Sequence, residues 1–180
     1  MSIYDYSVQD AQENAVPLKN YKGKVLLIVN TATKCGFTPQ YKELEHMYET
    51  YHDKGLEIID VPCNQFGGQA PGTDEQISEF CTLNYNTKFP QMKKSDVNGE
   101  NELPLYAYLK TQKKFEGFGE SKTAQTLHDH ITKSNPDYKN NSDIKWNFTK
   151  FVVARDGSVA ARFEPTASMA DVEACIVQLM

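Results

Sequence analysis

Cys35 stands in Asn30-Thr-Ala-Thr-Lys-Cys-Gly-Phe-Thr-Pro-Gln40, directly after the apolar run Val25-Leu-Leu-Ile-Val29. A buried strand feeding a short loop, followed by a helix, places this thiol at the positive end of the helix. A thiolate is favoured there, and the thiolate is the nucleophile. The expectation is an exposed, reactive sulfur; the alternative is a buried structural thiol, which is the commoner fate of a free cysteine. Thr38 occupies the place where a C-x-x-C motif would carry its second cysteine, so a local dithiol is absent and a general disulfide reductase is disfavoured. The other cysteines, Cys63, Cys81 and Cys175, show no metal-ligand spacing. His128 and His130 are two apart and would leave a helix on different faces, so no metal is expected. The four histidines, His46, His52, His128 and His130, read as surface residues, and Lys93-Lys94 and Lys113-Lys114 as solvated side chains, with docking to an acidic face of a partner as the weaker alternative.

The elements that must position Cys35 follow from pattern. Val25–Val29 reads as a fully buried strand. Pro39 opens a helix in which Tyr41, Leu44, Tyr48 and Tyr51 recur at helical spacing, and Lys54-Gly55 ends it. Leu56–Val61 is a second strand, and a helix between two strands predicts a right-handed crossover and a parallel pair. The stretch from Pro62 to Gly72 is a loop. Thr73 and Gln76 form a capping box that starts a helix through Ile77, Phe80 and Cys81. A further helix begins near Pro104. Residues from about 113 to 143 are polar and read as an insertion with too few apolar residues for a core of its own, holding one helical piece near Thr123–Thr132. Phe151–Ala154 and Val159–Phe163 flank Arg155-Asp-Gly-Ser158 as a hairpin, and a last helix runs from about Met169. This order resembles the thioredoxin-like plan: an α/β fold, with a central mixed β-sheet flanked by helices.

With 180 residues and 39% apolar content, one domain over residues 1–180 is expected. A net charge of −5 without a basic cluster argues against nucleic acid. No apolar run is long enough to span a bilayer. The amino terminus lacks the features of a signal peptide, which makes a cytoplasmic location the default expectation.

Three motifs line up along the chain: Asn30-Thr-Ala-Thr-Lys-Cys-Gly-Phe-Thr38, Val61-Pro-Cys-Asn-Gln-Phe-Gly-Gly-Gln-Ala-Pro-Gly72 and Lys145-Trp-Asn-Phe-Thr-Lys-Phe151. Together they resemble the glutathione peroxidase family over nearly the whole chain. The resemblance implies a thioredoxin-like fold with extra helices and a lengthened first β-strand region. It also implies a peroxidatic tetrad: Cys35, in a place taken by selenocysteine in some members, with Gln69, Trp146 and Asn147. The last three carry neutral N–H donors; aimed at one sulfur, they would favour its anion and steady charge on a departing oxygen. Phe80-Cys-Thr-Leu-Asn-Tyr85 with Lys88-Phe-Pro90 looks like the resolving segment of the family's two-cysteine members, which makes Cys81 the resolving thiol and thioredoxin, more than glutathione, the implied reductant. The residue-level alternative for Cys81 is a core position beside Ile77 and Phe80. Cys63 and Cys175 read as structural. The implied substrates are hydrogen peroxide and organic hydroperoxides, with no cofactor, and a monomer is slightly preferred over an oligomer. A one-cysteine glutathione-dependent enzyme and a peroxide sensor that hands its disulfide to a partner remain as alternatives.

Overall fold

The computed structural model describes all 180 residues. A short antiparallel hairpin, β1 (Ser7–Gln9) and β2 (Ala15–Pro17), precedes the first long strand, β3 (Val25–Thr31). Then come α1 (Tyr41–Tyr51), β4 (Leu56–Pro62), α2 (Asp74–Tyr85), α3 (Pro104–Gln112) and α4 (Lys122–Thr132), followed by β5 (Lys150–Val153), β6 (Val159–Phe163) and α5 (Met169–Leu179). The main sheet has the order β4-β3-β5-β6. β3 and β4 are parallel, as a helical crossover requires, while β5 runs antiparallel to both β3 and β6. The sheet is therefore mixed, in keeping with the thioredoxin-like expectation.

All seven residues of β3 are buried because both faces of the sheet are covered. Leu26 and Ile28 face Leu105, Tyr106 and Leu109 of α3. Val25, Leu27 and Val29 face the other way, onto Tyr41, Leu44 and Met47 of α1, Ile77 and Cys81 of α2, and Val172 and Ile176 of α5. Asp60 and Lys150 both pair with Val29, so an acid, a valine and an amine form one buried row across β4, β3 and β5. Gly55 ends the first crossover in the left-handed region, at φ 107°. A Cβ there would lie 2.7 Å from the Arg155 guanidinium, which bonds the carbonyls of Gly23 and Lys54 and so ties the crossover to the β5–β6 turn.

The sequence pattern does not single out the hairpin β1–β2, whose strands are only three residues long. One expectation is corrected. The polar insertion does hold a small core: Phe118, Ala124, Leu127, Ile131 and Tyr138 are buried against one another and reach Phe37 and Trp146. Positions 124, 127 and 131 share one face of α4, so few apolar residues suffice once they are aligned.

Candidate peroxidatic site

Thr38, which stands where a second thiol would be, closes the Cys35 loop. Its hydroxyl accepts the Cys35 N–H at 3.0 Å and donates to the Ala32 carbonyl at 2.8 Å. The Phe37 N–H points at Cys35 Sγ at 3.3 Å. A 3-10 turn, Thr38–Gln40, then leads into α1. The sulfur thus sits at a helix entry as expected, but it is not exposed: Cys35 is only 8% accessible. The cover comes from distant parts of the chain, since Phe37 and Trp146 pack both with the Cys35 cluster and with the insertion.

Gln69 is fastened to the same loop by its backbone. Its carbonyl accepts the N–H groups of Thr33 at 3.2 Å and Lys34 at 2.9 Å. The next turn is held by Lys94, whose ammonium donates to the carbonyls of Ala70 at 3.0 Å and Gly72 at 2.6 Å. Lys94 is therefore partly buried and structural, contrary to the expectation of a solvated side chain.

Trp146 and Asn147 arrive on the segment leading into β5. The Trp146 carbonyl accepts the Asn30 side-chain amide at 3.2 Å and the Thr149 hydroxyl at 2.9 Å. Phe148 takes a left-handed conformation, φ 65°, with its N–H on the Asn30 carbonyl at 2.6 Å. Its carbonyl receives the fully buried Lys150 ammonium at 2.6 Å, and that ammonium also bonds Gln40 Oε1 at 2.7 Å. A bulky residue at positive φ is strained and persists only where its surroundings hold it.

The expected donor shell is thereby modified. Asn147 Nδ2 donates to Gln69 Oε1 at 3.0 Å and to the Phe66 carbonyl at 3.4 Å, not to the sulfur. The hydrogen bond on Cys35 Sγ is the backbone one from Phe37. Asn147 acts on Gln69: with Oε1 occupied, the NH2 end of Gln69 is its uncommitted donor. Asn147 Oδ1 is buried without a partner.

A cavity of about 370 Å³ opens beside this loop, lined by Gly36, Phe37, Gln69 and Trp146 on one side and by Thr126, Leu127 and His130 of α4 on the other. His130 is exposed, yet its ring meets the Trp146 indole edge-on at 5.0 Å. His128 is partly buried and bonded to the Tyr138 hydroxyl at 2.7 Å. Sequence spacing carried no signal for either contact: the first needs α4 packed over the Trp146 segment, and the second joins α4 to the turn at Tyr138 within the insertion. No cluster of three or more His, Cys, Asp or Glu side chains is arranged to hold a metal ion. No helix is long and apolar enough to cross a membrane.

All four cysteines are free. Cys35 and Cys81 belong to the apolar cluster on the α1 face of the sheet; Cys63 belongs to the cluster on the opposite face. Burial pushes the Cys81 thiol up to about 12 and the Cys63 thiol up to about 11. Cys175 is half-buried on α5, and its thiol is also raised by burial.

The glutathione peroxidase family profile matches residues 3–110. The chain belongs to the glutathione peroxidase family. It is a peroxidase of that family, and hydroperoxide is the substrate the family implies. A glutathione peroxidase homolog of Neisseria meningitidis is 47% identical over 182 residues, covering 100% of both chains. Glutathione peroxidase-like peroxiredoxin 2 of Saccharomyces cerevisiae is 49% identical over 163 residues, covering 90% of this chain and 86% of its own. Among solved structures, Trgpx in apo form superposes with a TM-score of 0.71 at 34% identity, over 99% of this chain and 95% of that one. A thioredoxin-family thiol:disulfide interchange protein from Chlorobium tepidum TLS superposes at 0.58 with 12% identity, over 97% and 92% of the two chains, a likeness of fold alone.

Proposed function

We propose that this peroxidase works through two cysteines, with Cys35 as the peroxidatic nucleophile, Cys81 as the resolving thiol and thioredoxin as the reductant. The observation that carries the reading is the placement of Cys35 in a loop tied to Gln69, beside Trp146, Asn147 and a cavity that a hydroperoxide can enter. The Cys35 thiolate attacks the terminal oxygen of ROOH. An S–O bond forms, the O–O bond breaks, and RO⁻ leaves to be protonated as ROH. The sulfur, oxidised by two electrons, becomes sulfenic acid. In this scheme Gln69 and Trp146 supply neutral donors for the charge that builds on oxygen, and Asn147 holds Gln69 in place.

Cys81 then attacks the Cys35 sulfenic sulfur, an S–S bond forms, and hydroxide leaves as water. Cys81 lies on the same face of the sheet as Cys35, whereas Cys63 lies across it, which favours Cys81 as the partner. In its closed position the Cys81 thiol is deeply protonated at neutral pH and cannot attack. A disulfide requires the two Cα atoms within about 7 Å. The reading therefore includes local opening of α2, a helix with only Ile77 and Cys81 buried, of the kind that unfolds at low free-energy cost. A dithiol returns both cysteines to thiols by exchange. Two relatives, in Saccharomyces cerevisiae and Schizosaccharomyces pombe, bear the name glutathione peroxidase-like peroxiredoxin, which supports a protein dithiol as donor. A reducing compartment such as the cytoplasm goes with this cycle.

The test is Cys81→Ser in a coupled assay, with thioredoxin, its reductase and NADPH in one arm and glutathione with its reductase in the other. The two-cysteine cycle predicts loss of thioredoxin-supported turnover while Cys35 still oxidises once. Turnover that persists, or that only glutathione supports, would assign a one-cysteine mechanism.

A further inference from the structure

Two halves of the site meet at one buried amine. The Cys35 half ends in the 3-10 turn Thr38–Gln40, with Phe37 at its start. The Phe37 N–H meets Cys35 Sγ at 3.3 Å, and the Phe37 carbonyl accepts the Gln40 N–H at 2.9 Å. The other half is the run from Trp146 into β5, which carries the Asn147 amide that bonds Gln69 Oε1 at 3.0 Å. Lys150 is the first residue of β5 and is fully buried. Its amine donates to the Phe148 carbonyl at 2.6 Å and to Gln40 Oε1 at 2.7 Å. One group therefore bonds both halves, beside Asn147 on one side and at the end of the Phe37 turn on the other.

Each acceptor sits where a small movement would be felt. Phe148 is held at φ 65°, which costs a bulky residue free energy. The Asn30 carbonyl fixes its N–H, and the Lys150 amine fixes its carbonyl. Asn147 immediately precedes it, so a rotation of this turn would carry the Asn147 amide away from Gln69. Gln40 gives its Nε2 to the Pro165 carbonyl at 2.9 Å and its Oε1 to Lys150, and an amide bound at both ends steadies the turn that aims the Phe37 N–H. The charged groups that act on the amine are Glu164, itself bound by Arg162 Nε at 2.6 Å, and Glu43 of α1. Two N–H groups serve its two acceptors. The ammonium and the neutral amine both carry them, so the bridge does not depend on charge.

We propose that Lys150 is a positioning residue for the peroxide reaction: its buried amine clamps the Phe148 turn to Gln40 and so holds the Asn147–Gln69 pair in register with the Phe37 N–H that meets the Cys35 sulfur. The role rests on Cys35 being the peroxidatic thiol and Gln69 its donor. Lys150 acts through Phe148 and Gln40 and gives no proton to the reaction.

The test uses the full chain as Lys150→Met, Gln40→Met and the double variant, with hydrogen peroxide as the probe. Far-ultraviolet circular dichroism establishes that each is folded. Gln40→Met keeps the Lys150 bond to Phe148 and reports on the clamp where Lys150→Met does not fold. The rate constant of Cys35 with peroxide is measured by competition with a haem peroxidase from about pH 5 to about pH 9, and its high-pH plateau is the reactivity of the thiolate itself. The plateau should fall about tenfold in Lys150→Met and severalfold in Gln40→Met, because both misplace the donors without touching peroxide. Since the two side chains form one bridge, the double variant should lie within about threefold of the slower single variant. An unchanged plateau in the folded variants would overturn the clamp, even where the midpoint of the profile moves, which would assign Lys150 an effect of charge on the thiol. Losses that multiply in the double variant would overturn it as well, because the two residues would then act independently. Failure of the Cys35 reading shows separately, as peroxide consumption surviving Cys35→Ser.

Discussion

Replacing Lys150 by Met tests the buried end of the site. Lys150 is fully buried, and its ammonium is held by two neutral oxygens, Gln40 Oε1 and the Phe148 carbonyl, with no carboxylate at ion-pair distance. Burial lowers its pKa from 10.5 to about 7. The unfolded chain therefore keeps a proton that the folded protein has lost, and this group makes stability rise with pH between about 7 and 10.5. Carried from pH 7 to pH 9.5, the linkage amounts to about 3 kcal/mol. At pH 7 the buried amine costs the fold on the order of 4 kcal/mol. Methionine removes that cost but strands two acceptors, at about 1–3 kcal/mol each. Lys150→Met should thus be about as stable as wild type at pH 7 and about 3 kcal/mol less stable at pH 9.5. Urea unfolding followed by far-ultraviolet circular dichroism, with a phosphine reductant at both pH values, measures the difference. The thiols and phenols that titrate in the same range are common to both proteins and cancel. A wild-type-minus-variant difference that stays constant between the two pH values would refute the assignment of a buried amine whose pKa is lowered on folding.

Asn147→Ala removes the donor on Gln69 Oε1; the rate constant of Cys35 with peroxide, measured by competition with a haem peroxidase, should fall about 10- to 100-fold. Asp60 is the acidic counterpart of Lys150. Burial raises its pKa from 3.8 to about 6, so the folded state holds a proton the unfolded chain has released, and wild-type stability should fall by about 2 kcal/mol as pH rises from 4 to 6. Asp60→Asn should flatten that limb in the same urea titration, and an unchanged slope would place the acid limb elsewhere. Thr73→Ala removes the hydroxyl that accepts the Gln76 N–H at the start of α2, while the Thr73 N–H on Gln76 Oε1 is kept. It should weaken the helix by about 1 kcal/mol and speed alkylation of Cys81 by iodoacetamide severalfold, with Cys63 on the opposite face of the sheet as the control.

Elements whose residues carry local instructions were legible. The run Val25–Val29 has the composition of a two-face-buried strand, and the Thr73/Gln76 box forms with both of its hydrogen bonds. The three motifs marked Cys35, Gln69, Trp146 and Asn147, and the fold brings Gln69, Trp146 and Asn147 into one neighbourhood beside the Cys35 loop. What escaped depends on distant parts of the chain. The order of donors, Asn147 to Gln69 rather than to sulfur, is decided by how the Phe148 turn docks on Asn30. The shielding of Cys35 depends on α4, whose apolar face was diluted by its polar neighbours in the sequence. Lys94 reads as solvent-facing because lysines usually are; only the folded backbone reveals the carbonyls that hold it.

Trp146 is the only tryptophan in the chain, and its ring lies between Phe66, 5.9 Å away, and His130, 5.0 Å away, at the wall of the cavity. The intrinsic indole fluorescence of the protein is therefore emitted from a single point beside the Cys35 loop. Trp146 packs against the apolar cluster that holds both Cys35 and Cys81, so a rearrangement at either cysteine would reach the same ring. The protein thus carries its own optical reporter of the Cys35 neighbourhood, readable without a label.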